Sequence, residues 1–165
     1  MQTGFIAPLA AVLGLFAGIV LARLAKEELQ EGRKYIEVFR KLLLLLIFIS
    51  AIGYAAIYEN MLNTVLGIAF GFIALKIKKE RYDYIFLGII ATATVMIQSQ
   101  AIIFLISALI FLYGLPYGSM MKHNLQNIAA HSIAFFLPFL LLIMPGLDIS
   151  SLLGFGAMCL AFQCK

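Results

Sequence analysis

The chain has no tryptophan, two cysteines, four prolines and only 12% charged residues among 165, and each scarcity removes a class of protein. Charge decides most. With 64% hydrophobic residues there is too little polar surface to cover a water-soluble globule, so the expected solvent is lipid. Few prolines and no Ser-rich run exclude a hinge or low-complexity linker, and the length fits one domain over residues 1–165. Cys159 and Cys164 are too few for a disulfide framework and are expected to remain thiols on the cytoplasmic side. No basic segment or small-residue cleavage site precedes Arg23, so residues 1–22 are read as a retained span and not as a leader.

Signatures of chemistry are scarce too. There is no intramembrane aspartate pair, no Gly-x-Ser-x-Gly, no His-Glu-x-x-His and no phosphate-cradling glycine loop, so neither an enzyme nor a cofactor is expected. Seven residues lie between His123 and His131 and four between Cys159 and Cys164, spacings that match no usual zinc site. The net charge of +4 comes from residues flanking apolar blocks, which speaks for the lipid bilayer as partner and against nucleic acid.

What is present is a series of apolar blocks between basic clusters. A helix rises ~1.5 Å per residue and a hydrocarbon core is ~30 Å thick. Blocks at about 5–22, 42–58, 61–75, 127–146 and 149–163 are each read as one span. The stretch 85–115 would measure roughly 46 Å as one helix, too long for a single crossing. Divided at Gln98-Ser99-Gln100 it gives spans at about 84–98 and 100–115. The expected fold class is therefore all-α: a polytopic membrane bundle of about seven helices with parallel hairpin repeats. In this arrangement all twelve Lys and Arg residues, in Arg23–Lys41, Lys76–Arg81, Lys122 and Lys165, face one side. Basic loops mark the cytoplasm, so the N-terminus is expected outside, the C-terminus inside, and the location the cell membrane. Six undivided spans would move only Lys122 and Lys165.

Leu9–Arg23 matches Leu62–Lys76 at several apolar positions, at both glycines and at the terminal base, and Ile149–Gly156 extends the match. Within the repeat, Gly14 and Gly18, then Gly67 and Gly71, form GxxxG, while Gly154 is followed by Met158 in place of a second glycine. Such small-residue stripes let helices approach closely in lipid, so the first and third spans are expected to touch. Gly32 is expected to stop a helix in the first loop, which holds six basic and four acidic residues. Tyr35, Tyr82, Tyr84, Tyr113 and Tyr117 suggest an aromatic belt.

Two groups of polar residues are candidate sites. Glu59, Asn63, Gln98, Gln100 and Asp148 come from three outer turns and could form a hydrated mouth. Asn60 and Asp148 also stand where helices begin, where capping is the commoner use of such residues. His131 lies within the bilayer on the sixth span, and Pro138 should kink that span, so the two could form an inner gate. A histidine there can equally bond across helices. Two functions fit: a small transporter or channel for a small solute, or a non-transporting scaffold or accessory subunit holding a membrane-protein partner or a second copy.

Overall fold

The computed structural model describes residues 3–58, 61–74, 83–97, 99–120, 125–143 and 148–161. Among them the chain is all-α, with seven α-helices and no strand. These are α1 (Thr3–Leu24), α2 (Lys26–Tyr58), α3 (Met61–Ala74), α4 (Asp83–Met96), α5 (Gln100–Met120), α6 (Leu125–Phe136) and α7 (Ile149–Ala161); a 3₁₀ segment (Leu137–Ile143) continues α6. The long apolar stretch is broken between Met96 and Gln100, and Ser99 in the break is exposed.

Gly32 does not end a helix. It lies inside α2, which runs 33 residues without interruption. A glycine stops a helix by taking the left-handed backbone conformation, and Gly32 does not adopt it. Its only effect is then the entropy of an unsubstituted residue. A Cβ there would meet nothing closer than Ile36 Cδ1 at 4.0 Å. Gly32→Ala should therefore raise stability by about 0.5–1 kcal/mol, seen as a higher midpoint of thermal unfolding followed by circular dichroism.

Close glycine contacts fix which helices pair and in which direction. A Cβ on Gly14 would collide with the Phe111 carbonyl, and one on Gly18 with Leu115; Gly114 and Gly118 return the contact against Gly14, Leu15 and Gly18. Helices α1 and α5 are thus parallel, with two GxxxG stripes facing each other. Gly67 meets Ser151 and Phe155, Gly154 meets Thr64 and Ile68, and Gly71 meets the Met158 side chain, so α3 and α7 are parallel too. Gly88 meets Phe135 and Pro138, and Tyr84 meets His131 one turn earlier on both helices, which sets α4 parallel to α6. The glycine stripes of the first and third helices do not face each other as expected, because each is spent on a later helix.

The remaining directions alternate. Tyr84 stacks on Tyr113 and Tyr117, so α4 and α5 form an antiparallel hairpin. Phe86 packs on Phe155 and Gly156 on Ile89 and Ile90, which seats the middle of α7 against the first half of α4. The start of α2 lies against the end of α5, across Ile36, Phe39, Leu115 and Pro116. Odd-numbered helices therefore run one way, and α2, α4 and α6 the other.

Helix α4 is the axis of the bundle: Tyr84 and every residue from Leu87 to Thr94 are buried, against α5, α6 and α7 among others. Its two threonines do not open a polar seam, since Thr92 Oγ1 donates to Gly88 O and Thr94 Oγ1 to Ala91 O, both at 2.7 Å. Around this axis α1, α2, α3, α5 and α6 turn large apolar side chains outward, for example Leu13, Leu45, Val65, Phe104 and Ile133. Gln100–Met120 is the one helix among the described residues that is long and apolar enough to cross a membrane; Val12–Leu24, Met61–Gly71, Tyr84–Met96, Ile128–Leu140 and Ile149–Leu160 are apolar but shorter.

Candidate functional site

Two polar clusters lie at opposite ends of the bundle. At the end where α3, α5 and α7 begin, Asp148 precedes the first turn of α7 and its carbonyl accepts the Leu152 amide at 3.2 Å. This is the N-cap position, where an acidic side chain also meets the positive end of the helix. Its carboxylate is engaged sideways: Asp148 Oδ2 accepts from Asn63 Nδ2 on α3 and from Ser150 Oγ at 2.5 Å. Asn63 is drawn there because α3 and α7 are parallel and start at one level.

Of the five residues of the expected mouth, Asn63 and Asp148 are brought together. Gln100 opens α5 at the same end and is exposed. Glu59 and Gln98 lie outside the described residues, as does Asn60. The Asn63–Asp148–Ser150 group is a cross-helix tie, with its acceptor oxygen already holding two donors. Removing the carboxylate leaves Asn63 and Ser150 without their acceptor. Asp148→Ala should cost about 1–3 kcal/mol in chemical or thermal unfolding. Asn63→Ala added to it should cost much less than alone, the non-additivity that a double-mutant cycle reads for a direct pair.

At the opposite end, His131 on α6 is buried among aromatic rings. Its Nε2 lies 2.8 Å from the Tyr117 hydroxyl, a hydrogen bond in which the phenol donates if Nε2 is unprotonated and accepts if Nε2 carries the hydrogen. Tyr84 meets the imidazole edge-on with ring centres 5.5 Å apart, Tyr117 lies 5.5 Å away, and Tyr84 and Tyr117 are 4.9 Å apart. Tyr113 and Phe135 complete the group around Tyr84. Three helices thus converge on one histidine.

The tyrosines correct the expected aromatic belt. Tyr35 is exposed, but Tyr84 and Tyr113 are 2% and 0% exposed and belong to the interior. Tyr82 lies outside the described residues. Pro138 does not share the histidine's layer: it packs beside Gly88, two turns further along. It lacks an N–H for the Ala134 carbonyl, and the α-helix gives way to the 3₁₀ segment beside it. His131 and Pro138 therefore stand two turns apart on one helical run.

Among the described residues no group of three or more His, Cys, Asp or Glu could hold a metal ion. Cys159 is a buried free thiol whose Sγ donates to Gly71 O at 3.8 Å, and Cys164 lies outside the described residues. Sequence reasoning missed Gly114 and Gly118, although their spacing is the same GxxxG, and the tyrosine shell of His131, which the sequence scatters over thirty-odd positions. Comparison with protein-family models, with curated proteins and with solved structures finds no match to this chain.

Proposed function

We propose that the chain is a multi-pass integral membrane protein, with its N-terminus outside and its C-terminus in the cytoplasm, that serves as a non-transporting scaffold or accessory subunit. The observation that carries the membrane reading is the ring of exposed apolar side chains on α1, α2, α3, α5 and α6 around the buried α4. Contiguous apolar surface of this extent is foreign to water-soluble monomers and natural in lipid. Alternating helix direction supports the same reading, since it returns the basic turns at Arg23–Lys41 and the ends of α5 and α7 to one side.

The non-transporting role rests on the interior. The hydroxyls of Thr92 and Thr94 on the axial helix are taken by their own backbone, and glycine-mediated contacts bring backbones together where a conduit would need room. The transport reading keeps one observation in its favour, the 3₁₀ segment beside Pro138 on the helix that carries the His131–Tyr117 pair, because such segments often mark hinges.

One experiment separates the two. In a Cys159→Ala, Cys164→Ala background, Thr92→Cys should stay unlabelled by a membrane-impermeant thiol reagent from either side, while Ser99→Cys is labelled. Labelling of Thr92→Cys would mean a water-filled path and would overturn the scaffold reading. Recovery of the wild-type protein in the soluble fraction after an alkaline carbonate wash would overturn the membrane reading itself.

A further inference from the structure

We infer that the groove between α1, α2 and α5 is a binding site for one anionic phospholipid, with its acyl chain along the apolar walls and its phosphate on Arg40. The groove encloses about 470 Å³, within the ~300–1,000 Å³ of small-molecule sites. Its walls are Leu21 and Ala25 at the end of α1, Ile36 and Phe39 on α2, and Leu115 and Pro116 on α5. Tyr35 and Ser119 also line it, the Ser119 hydroxyl donating to Pro116 O at 2.9 Å, so six of the eight lining residues are apolar and suit a hydrocarbon chain.

The second observation is Arg40. It follows Phe39 directly and lies one helical turn beyond Ile36, on the side of α2 that also carries the buried Leu43 and Ile47. Its side chain is half-buried, and its Nε is buried with no hydrogen-bond partner among the described residues. A buried charged donor without an acceptor is unfavourable. Phosphate oxygens fit it, because the planar fork binds them two at a time. The segment 23–41 adds charge of the right sign, six basic residues against four acidic. It stands at the end of the bundle where, on the membrane reading, the headgroup layer lies. A long α2 then does more than join two spans: its first turns form the wall and the cation of a lipid seat.

This inference rests on the membrane reading and fails separately from it. The test is lipid binding to the purified, detergent-solubilised protein, read by native mass spectrometry and by thermal unfolding, with phosphatidylglycerol, phosphatidylcholine or inorganic phosphate added. Phosphatidylglycerol should bind at least about threefold more tightly than phosphatidylcholine, because both carry the phosphate but the choline cation of the second competes with Arg40 for it. Arg40→Gln should bring the two lipids level. Ala25→Phe, which fills the apolar groove and leaves Arg40 in place, should weaken both, and inorganic phosphate should give no protection. Equal binding of the two lipids to the wild type, an undiminished preference in Arg40→Gln, unchanged binding in Ala25→Phe, or protection by phosphate alone would each overturn the lipid seat. Should Arg40→Gln not fold, the phosphate arm and Ala25→Phe still decide. A protein that needs detergent but shows no lipid preference fails this inference and leaves the membrane reading standing.

Discussion

Gly14→Leu is expected to lower the stability of the bundle by about 3 kcal/mol or more, a fall of roughly 6–12 °C in the thermal midpoint. The obstacle is backbone. An added Cβ would lie within contact distance of Phe111 Cα, 2.9 Å away, and closer still to its carbonyl oxygen. A side chain can turn aside, whereas the α5 backbone can move only as a helix, and moving it also breaks the reciprocal contacts of Gly114 and Gly118 with α1. Even Gly14→Ala should be costly for this reason. Gly53→Ala is the internal control: nothing lies within 4 Å of a Cβ at that position. A Gly14→Leu midpoint within about 2 °C of wild type, a shift worth under roughly 1 kcal/mol, would refute the α1–α5 seam.

Phe135→Ala should follow, with a loss of about 3 kcal/mol from the cavity it leaves. Phe135 is fully buried and lies against Tyr84, Phe136 and Phe139, while its carbonyl faces Gly88. On the proposed membrane reading, the transfer of a ring from lipid to the core contributes little, so the cost is mainly lost packing. This sets the effect at the lower end of the range found for aromatic truncation in water. Phe135→Leu, which refills part of the space, should lose less than half as much. Because Phe135 lies one turn beyond His131, the alanine variant should also loosen the Tyr117–His131 bond. That loss is measurable as a shifted tyrosine absorbance.

The number of helices was legible because charge and apolar length are one-dimensional signals. The basic clusters bounded the blocks, and the Gln98-Ser99-Gln100 triplet interrupted a stretch too long for one helix. The partners of the helices were not legible. A GxxxG stripe announces that something will approach closely and carries no address, so Gly14 and Gly18 could be assigned to α3 when they belong with Gly114 and Gly118. Gly32 misled for a related reason: the residue type permits a stop, but the conformation that makes one is decided by neighbours. The polar residues were found as single letters, and only parallel helix starts put Asn63 beside Asp148. His131 stood out as the ionisable residue in an apolar span. The rings that surround it arrive from α4 and α5, and their spacing in the chain gives no hint of a common destination.

The parallel seams have a consequence for synthesis. A ribosome delivers α1 first, but the surface that matches its glycines is made nearly a hundred residues later, and α3 waits almost as long for α7. During translation both stripes stay unmatched, and loop closure on that scale makes their pairing late. A nascent chain halted after α4 would carry two docking edges and neither mate.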